Sequence, residues 1–151
     1  MALSNVERIF NEYIQGTPKQ AIVRDFTIKL CTLTNEVQRV CNFPTTNVHI
    51  TTKVIKKNYD KRTAEENDFI VKNGWRIVHT PDSIYKNKDA KRGDYIFTKR
   101  IKNDLYLASI ELSSYADAPI LYVASSFRIR KESYLDSYNL IWSWKGGEPS
   151  S

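Results

Sequence analysis

The stretch Leu121–Lys131 carries polar side chains at alternate positions. Tyr122, Ser126, Arg128 and Arg130 all fall at even positions. Because side chains alternate between the two faces of a β-strand, we predict that these four line the exposed face of one strand. A guanidinium group binds phosphate, and an aromatic ring stacks on a base. The stretch therefore points to a nucleic-acid site, although an ordinary solvated sheet face also carries Ser and Arg.

Cleavage of RNA without a metal requires few groups. The 2′-hydroxyl attacks the adjacent phosphorus, so a protein must position the ribose-phosphate, neutralise the growing charge and move two protons. Glu111 is expected on the solvent face of its strand together with Ser109, and His49 has a reference pKa near neutrality. Both are candidates for proton transfer. A plain surface carboxylate and a packed imidazole are the respective alternatives.

Two segments supply the excess of positive over negative charge in the chain, whose net charge is +6. Residues 51–62 hold five basic residues and one acidic residue, and residues 86–102 hold seven basic and two acidic residues. Lys53, Lys57 and Lys61 recur at helical spacing, which places three ammonium groups on one helical face. Clustered positive charge interleaved with aromatic residues is typical of a polyanion-binding surface, and two solvated loops are the alternative.

Length and composition limit the classes of protein to consider. At 151 residues the chain has the size of one domain, and it has neither an apolar run long enough for a bilayer nor a basic start followed by an apolar run. We therefore predict a monomeric, cytoplasmic protein without membrane contact. Cys31 and Cys41 lack metal-type spacing, and no Walker loop or dinucleotide fingerprint is present. The prediction is free thiols, no metal and no cofactor.

The first 46 residues are predicted to be helical. Ser4 and Glu7 form a capping box before a short amphipathic helix that Gly16 ends. Thr17 and Pro18 then open a second helix, whose apolar residues recur at helical spacing as far as Val40, with a break near residues 32–34. We predict that these helices are packing elements and contribute no catalytic or binding residues.

The remaining residues, 47–151, change from helical to strand periodicity. Residues 47–51 form either a strand or the start of a helix capped by Thr51 or Thr52, and a helix capped by Thr63 ends at Gly74. Strands are predicted at 84–86, 95–101, 106–112, 120–130 and 139–144, with helical turns at 131–138. The fold class is therefore α+β, a single domain with N-terminal helices packed on a four- to five-stranded antiparallel sheet.

His49-Ile50-Thr51 resembles half of the signature of the two-histidine phosphoesterases, which cleave cyclic nucleotides and phosphodiesters. That family requires a second such motif. The other histidine of the chain lies in His79-Thr80-Pro81, which departs from the pattern. A cyclic-nucleotide phosphodiesterase is therefore a third-ranked hypothesis.

Four motifs in order carry a broader resemblance. They are KVIKKNYDKRTAE at 53–65, PDSIYKNKDAKRGD at 81–94, SFRIRK at 126–131 and WSWKG at 142–146. Together they resemble the phage-encoded branch of the barnase, EndoU, colicin and RelE-like (BECR) nucleases, over about residues 47–151. The resemblance implies a four-stranded antiparallel sheet, an N-terminal helical part and metal-independent endoribonuclease activity on the sheet face.

The resemblance also suggests roles for individual residues. Ser126 takes the position of the Thr or Ser before Phe in the last long strand, where it would orient the phosphate. Arg128 and Lys61 would stabilise phosphoryl charge. Related sequences often carry a histidine in the helix at 53–59; none is present here, so a histidine base would have to be His49. The catalytic candidates are Lys53, Tyr59, Lys61, Glu111, Ser126, Arg128 and His49. The substrate-binding candidates are Lys57, Lys86, Lys88, Arg92, Arg130 and Trp144.

The leading hypothesis is thus a small ribonuclease that acts on RNA, with tRNA as one candidate target. The alternative is a non-catalytic inhibitor that binds nucleic acid or a host or phage protein through the basic segments. Strong dependence of binding on salt is expected for the nucleic-acid version.

Overall fold

A computed structural model describes residues 4–87, 95–115 and 117–144, and within these ranges seven strands form one mixed sheet. The strands are β1 Thr27–Thr32, β2 Asn47–Thr51, β3 Ser83–Asn87, β4 Tyr95–Ile101, β5 Asp104–Tyr115, β6 Ala118–Ile129 and β7 Tyr138–Ser143. The helical elements are α1 Asn5–Ile9, a π-helical turn Phe10–Ile14, α2 Asn35–Cys41, α3 Thr52–Lys61, α4 Ala64–His79 and a 3₁₀ segment Glu132–Ser137.

The strands lie in the order β1-β2-β6-β5-β4-β3-β7. Every neighbouring pair is antiparallel except β2 and β6, which run parallel. The predicted α+β class is confirmed. The predicted sheet of four to five antiparallel strands is too small, because β1 and β2 extend it on one side, and the parallel junction makes it mixed.

The five strands predicted after residue 83 are all present with nearly the expected bounds. Strict two-residue alternation and short turns specify them well. In the turn between β4 and β5, Lys102 and Asn103 both have positive φ, of 50° and 73°. Positive φ at both turn positions is the geometry that matches the twist of a two-residue hairpin.

The predicted second helix from Thr17 to Val40 is wrong. The chain has no regular structure at 17–26, forms β1 at 27–32 and becomes helical only in α2, where the Thr34 side chain accepts a hydrogen bond from Val37 N at 3.2 Å. The apolar residues of β1 fit helical and strand spacing about equally. Pairing of β1 with β2 along five register positions decides between them, and such long-range pairing is not encoded locally.

Capping residues place the other helix starts correctly. The Ser4–Glu7 capping box is present, and Thr51 and Thr63 cap α3 and α4. Residues 47–51 are therefore a strand that leads directly into a helix. The predicted end of α4 at Gly74 is wrong, because the helix continues to His79. The last turns bury Ile77 and Val78 completely, which outweighs the cost of about 1 kcal/mol for a glycine in a helix.

The helices pack on one face of the sheet and form the main core. Its most buried members include Ile14, Val48, Ile77, Phe97 and Ile110. On the other face, a smaller cluster packs under the 3₁₀ segment and contains Ile96, Leu107, Ile129 and Leu135. Consequently, one half of the second face is covered, and the half formed by β1, β2 and the adjoining parts of β5 and β6 carries polar residues.

Two further observations concern the length of the helices and the state of the cysteines. Within the described ranges, none of the helices has both the length and the apolar composition needed to cross a bilayer. Cys31 and Cys41 form no disulfide. Burial raises the pKa of both thiols to about 12, so both stay protonated at neutral pH.

Candidate functional site

A row of polar side chains crosses four strands on the helix-free face of the sheet. Lys29 of β1 pairs with His49 of β2, His49 pairs with Tyr122 of β6, and Tyr122 pairs with Glu111 of β5. Directly paired residues in neighbouring strands project on the same side. We call Lys29, His49, Tyr122 and Glu111 the cross-strand row.

The row lies opposite the main core. Val48, Leu121 and Ile110 alternate with members of the row along the strands, and all three are fully buried beneath the helices. His49, Tyr122 and Glu111 are half-buried and Lys29 is exposed. The row therefore combines an ammonium group, an imidazole, a phenol and a carboxyl group on a rigid and accessible support.

His49 lies beside Tyr122, with the two ring centroids 6.4 Å apart. Its Nδ1 atom is buried and has no hydrogen-bond partner among the described residues. Because an unpaired buried polar atom is costly, such atoms commonly mark functional or water-binding positions. Further along the same face, the hydroxyl groups of Ser109 and Ser125 are 2.8 Å apart.

A β-bulge divides the strand that carries the predicted phosphate-binding residues. Ile110 pairs with Val123 but the preceding Ser109 pairs with Ser125, so Ala124 is the extra residue. The prediction that Tyr122 and the even-numbered residues after it share one face is therefore wrong. Tyr122 lies on the helix-free face, whereas Ser126 and Arg128 lie on the helical face.

Ser126 is an interior residue. It is 3% exposed, and its hydroxyl oxygen is buried without a hydrogen-bond partner among the described residues. It lines an internal cavity of about 20 Å³ together with Asn58, Asn67 and mainly apolar side chains. A space of that size accommodates one water molecule. Ser126 therefore does not reach a substrate on the surface.

Arg128 and Arg130 lie in a groove of about 520 Å³ between α4 and the ends of β5 and β6. Arg130 Nη2 is 2.8 Å from Glu66 Oε1, and Arg128 Nη1 is 3.8 Å from Asp104 Oδ2. Burial is the first cause that raises the pKa of Tyr106, which also lines this groove. Both guanidinium groups are thus paired with carboxylates, which lowers the positive potential that a phosphate would meet.

The lysines of α3 lie apart from both the cross-strand row and the arginine groove. Lys53, Lys57 and Lys61 line a groove between α3 and residues 19–23. Tyr59 packs edge-on against Phe10, with ring centroids 5.4 Å apart, and its hydroxyl accepts a hydrogen bond from Gly16 N at 2.9 Å. The ring and hydroxyl group of Tyr59 are therefore both engaged in contacts within the protein, whereas the lysines face solvent.

The remaining predicted residues are dispersed. The ammonium group of Lys86 lies 5.6 Å from the centre of the Tyr95 ring. Trp144 is 41% exposed and lines a separate pocket with Trp142 and His79. Trp142 donates from Nε1 to Glu36 at 2.9 Å, and His79 donates from Nδ1 to Thr32 O at 2.6 Å. Lys88 and Arg92 lie outside the described residues.

Of the predicted catalytic residues, His49 and Glu111 share the cross-strand row, and Lys53 and Lys61 share the groove beside α3. Lys29 completes the row and was missed, since its segment was predicted to be helical and nothing local marks it as a strand. Among the described residues, His, Cys, Asp and Glu form no cluster of three or more that could hold a metal ion. The row itself can donate and accept protons and can attract a phosphate.

Comparison of this chain with protein family models, curated proteins and solved structures finds no match. Inference about its function therefore rests on the geometry and chemistry described above.

Proposed function

We propose that the protein is a metal-independent endoribonuclease whose reaction centre is the cross-strand row. The observation that carries this proposal is the placement of His49 and Glu111 on either side of Tyr122 on the helix-free face. Neighbouring strands lie about 4.8 Å apart, so the backbones of these two residues are separated by roughly twice that distance. A phosphate over Tyr122 would lie within reach of both side chains.

The row supplies each task that the reaction needs. Glu111 removes the proton from the 2′-hydroxyl, which attacks the adjacent phosphorus and forms a 2′,3′-cyclic phosphate. Protonated His49 gives a proton to the departing 5′-oxygen. Lys29, paired with His49, attracts the phosphoryl oxygens as their negative charge grows. Tyr122 offers a ring for a base or sugar between the two proton-transfer groups.

The paired arginines favour the row over the groove between α4 and β6. Arg130 contacts the buried Glu66, and Arg128 lies near Asp104. A substrate phosphate would have to displace these carboxylates before it could bind there. In the row, by contrast, Lys29 is exposed at the side of the sheet.

The test is cleavage of a labelled RNA by purified protein in the presence of a chelator. We expect His49→Ala and Glu111→Gln each to lower the rate roughly 100-fold or more, as removal of a proton-transfer group does. His79→Ala and Glu12→Gln are matched controls outside the row and should leave the rate unchanged. The products should end in a cyclic phosphate.

The Arg128→Ala variant decides whether the reaction occurs in the cross-strand row or in the arginine groove between α4 and β6. Loss of cleavage in Arg128→Ala, with His49→Ala still active, would place the reaction in the arginine groove and refute the row. Absence of any cleavage by the unmodified protein would refute the nuclease itself.

A second candidate function is non-catalytic binding of nucleic acid. The exposed lysines on α3 favour it, because within the described residues Lys53 has only the exposed Asp25 as an ion-pair partner and Lys57 and Lys61 have none. Unmodified protein that binds RNA, loses affinity steeply with salt and cuts nothing would support this alternative. Affinity that barely changes with salt would exclude it.

A further inference from the structure

The lysine-lined groove beside α3 is formed by two parts of the chain. One wall is α3, and the other is residues 17–26, which we call the strap. The groove has a volume of about 530 Å³. The residues that line it include Lys19, Ile22, Lys53, Lys57, Asp60 and Lys61.

The strap is fastened to α3 by one buried lysine and its partner. Lys56 is 6% exposed and donates hydrogen bonds to Thr17 Oγ1, Pro18 O and Asp60 Oδ1 at 3.0, 2.8 and 2.7 Å. Asp60 also accepts a hydrogen bond from Gln20 N at 3.0 Å. The two walls are therefore held at a fixed separation, and Asp60 is already engaged by Lys56.

The exposed lysines of the groove form a line. Lys53, Lys57 and Lys61 are four residues apart, so successive ammonium groups rise about 6 Å along the helix. Lys19 adds a fourth exposed charge from the strap. Lys53 lies 3.7 Å from Asp25, an exposed pair of little energetic weight. Like charges at this spacing repel each other unless an anion lies between them.

An apolar residue completes the groove. Ile22 is 101% exposed, and Ala21 and Val23 flank it. A row of ammonium groups beside a small apolar surface matches a sugar-phosphate chain, whose phosphates repeat at a comparable spacing and whose sugars and bases are largely apolar on their faces. One apolar side chain offers too little area to anchor the protein in a bilayer.

We propose that the lysine groove binds the backbone of single-stranded RNA. Three successive phosphates contact Lys53, Lys57 and Lys61, and Ile22 packs against a sugar or base. The groove lies on the helical side of the sheet and the cross-strand row on the other, so it is a separate binding site. Binding here does not rest on the proposed cleavage reaction.

The test is the salt dependence of binding to a labelled 2′-O-methyl oligouridylate, which lacks the attacking hydroxyl. For single strands, the slope of log K against log salt changes by about 0.7 for each phosphate contact. We therefore expect Lys57→Gln with Lys61→Gln to reduce the slope by about 1.4. Lys72→Gln is the matched control, because Lys72 is an exposed helix lysine that pairs with Asp68 at 3.1 Å.

Several outcomes would contradict the proposal that RNA binds in the lysine groove. An unchanged slope in the double variant, or an equal loss in Lys72→Gln, would mean that binding is spread over the surface. Binding to vesicles of anionic phospholipid without binding to the oligonucleotide would mean a membrane contact instead. His49→Ala should bind this oligonucleotide normally, so loss of cleavage and loss of groove binding are distinguishable.

Discussion

Glu66 contacts both a backbone amide and a side chain at the carboxyl end of β6, beyond the residues of that strand that pair with β2. Its carboxylate accepts from Arg128 N at 3.2 Å and from Arg130 Nη2 at 2.8 Å. The side chain is 5% exposed, whereas Arg130 is 57% exposed. Loss of the carboxylate leaves the Arg128 amide and the Arg130 guanidinium without their acceptor. Leaving a donor without its partner is the main energetic cost of breaking a buried pair.

We expect Glu66→Gln to lower the free energy of unfolding by about 2 kcal/mol, less than for a fully buried pair because Arg130 is half exposed. Urea denaturation measures this change. Glu65→Gln, an exposed neighbour, should stay within about 0.5 kcal/mol of the parent. Equal losses in the two variants would contradict the role assigned to Glu66.

Residue type alone identified part of the site. His49 and Glu111 were predicted because imidazole and carboxyl groups suit proton transfer, and both lie in the row. Ser126 and Tyr59 were also chosen for their chemistry, yet the first is buried beside a cavity and the second packs on Phe10. Side-chain chemistry is visible in a sequence, whereas burial is decided by the packing of distant elements.

At the scale of elements, the Asp60 carboxylate links the strap to α3. The hydrogen bond from Lys56 is the first cause that lowers the pKa of Asp60 below its ordinary value of 3.8. Since the folded pKa is the lower one, this contact stabilises the fold above the unfolded pKa and is lost as pH falls through the folded pKa.

The Gln20 amide, which donates to Asp60, should therefore report this titration in NMR spectra. We expect its chemical shift to change with a midpoint below 3.8. Asp60→Asn should abolish the change, and a midpoint at or above the ordinary value would disprove the Lys56 contact. Gln20 itself has φ of 66°, a conformation that the fastened strap must maintain.

Elements were predictable where local signals agree. Capping residues set the starts of α1, α3 and α4, and alternation set the five later strands. The strand β1 was not predicted from the sequence, because the spacing of its apolar residues suits a helix equally. The bulge at Ala124 was not predicted because strand alternation in the sequence continues unbroken across it, so Ser126 and Arg128 were wrongly placed on the same face as Tyr122.

At the scale of the whole molecule, the N-terminal residues are an integral part of the sheet and core. β1 forms one edge of the sheet, and Val6, Phe10 and Ile14 belong to the main core. The motifs singled out in the sequence all lie within residues 47–151. That segment alone would leave Val48 and Ile50 without the packing that keeps them buried.

We therefore expect a fragment of residues 47–151 to lack a cooperative unfolding transition, because it loses an edge strand and a wall of the core. Circular dichroism during urea titration measures this. A cooperative transition with the midpoint of the full chain would show that residues 1–46 are dispensable. Co-expression with residues 1–46 as a separate chain is the control for a fragment that fails only through exposure of its core.

The bulge at Ala124 also bears on which length changes the gene can tolerate. The residues before and after it keep opposite phases of alternation, so Leu121 and Arg128 point to the same side although they lie seven positions apart. Deletion of Ala124 would place Leu121 and Arg128 six positions apart, the spacing at which regular alternation puts both on the same side. Both halves of β6 would then keep their faces in a strand without a bulge, whereas deletion of a residue away from the bulge, with the bulge retained, would turn part of the strand over.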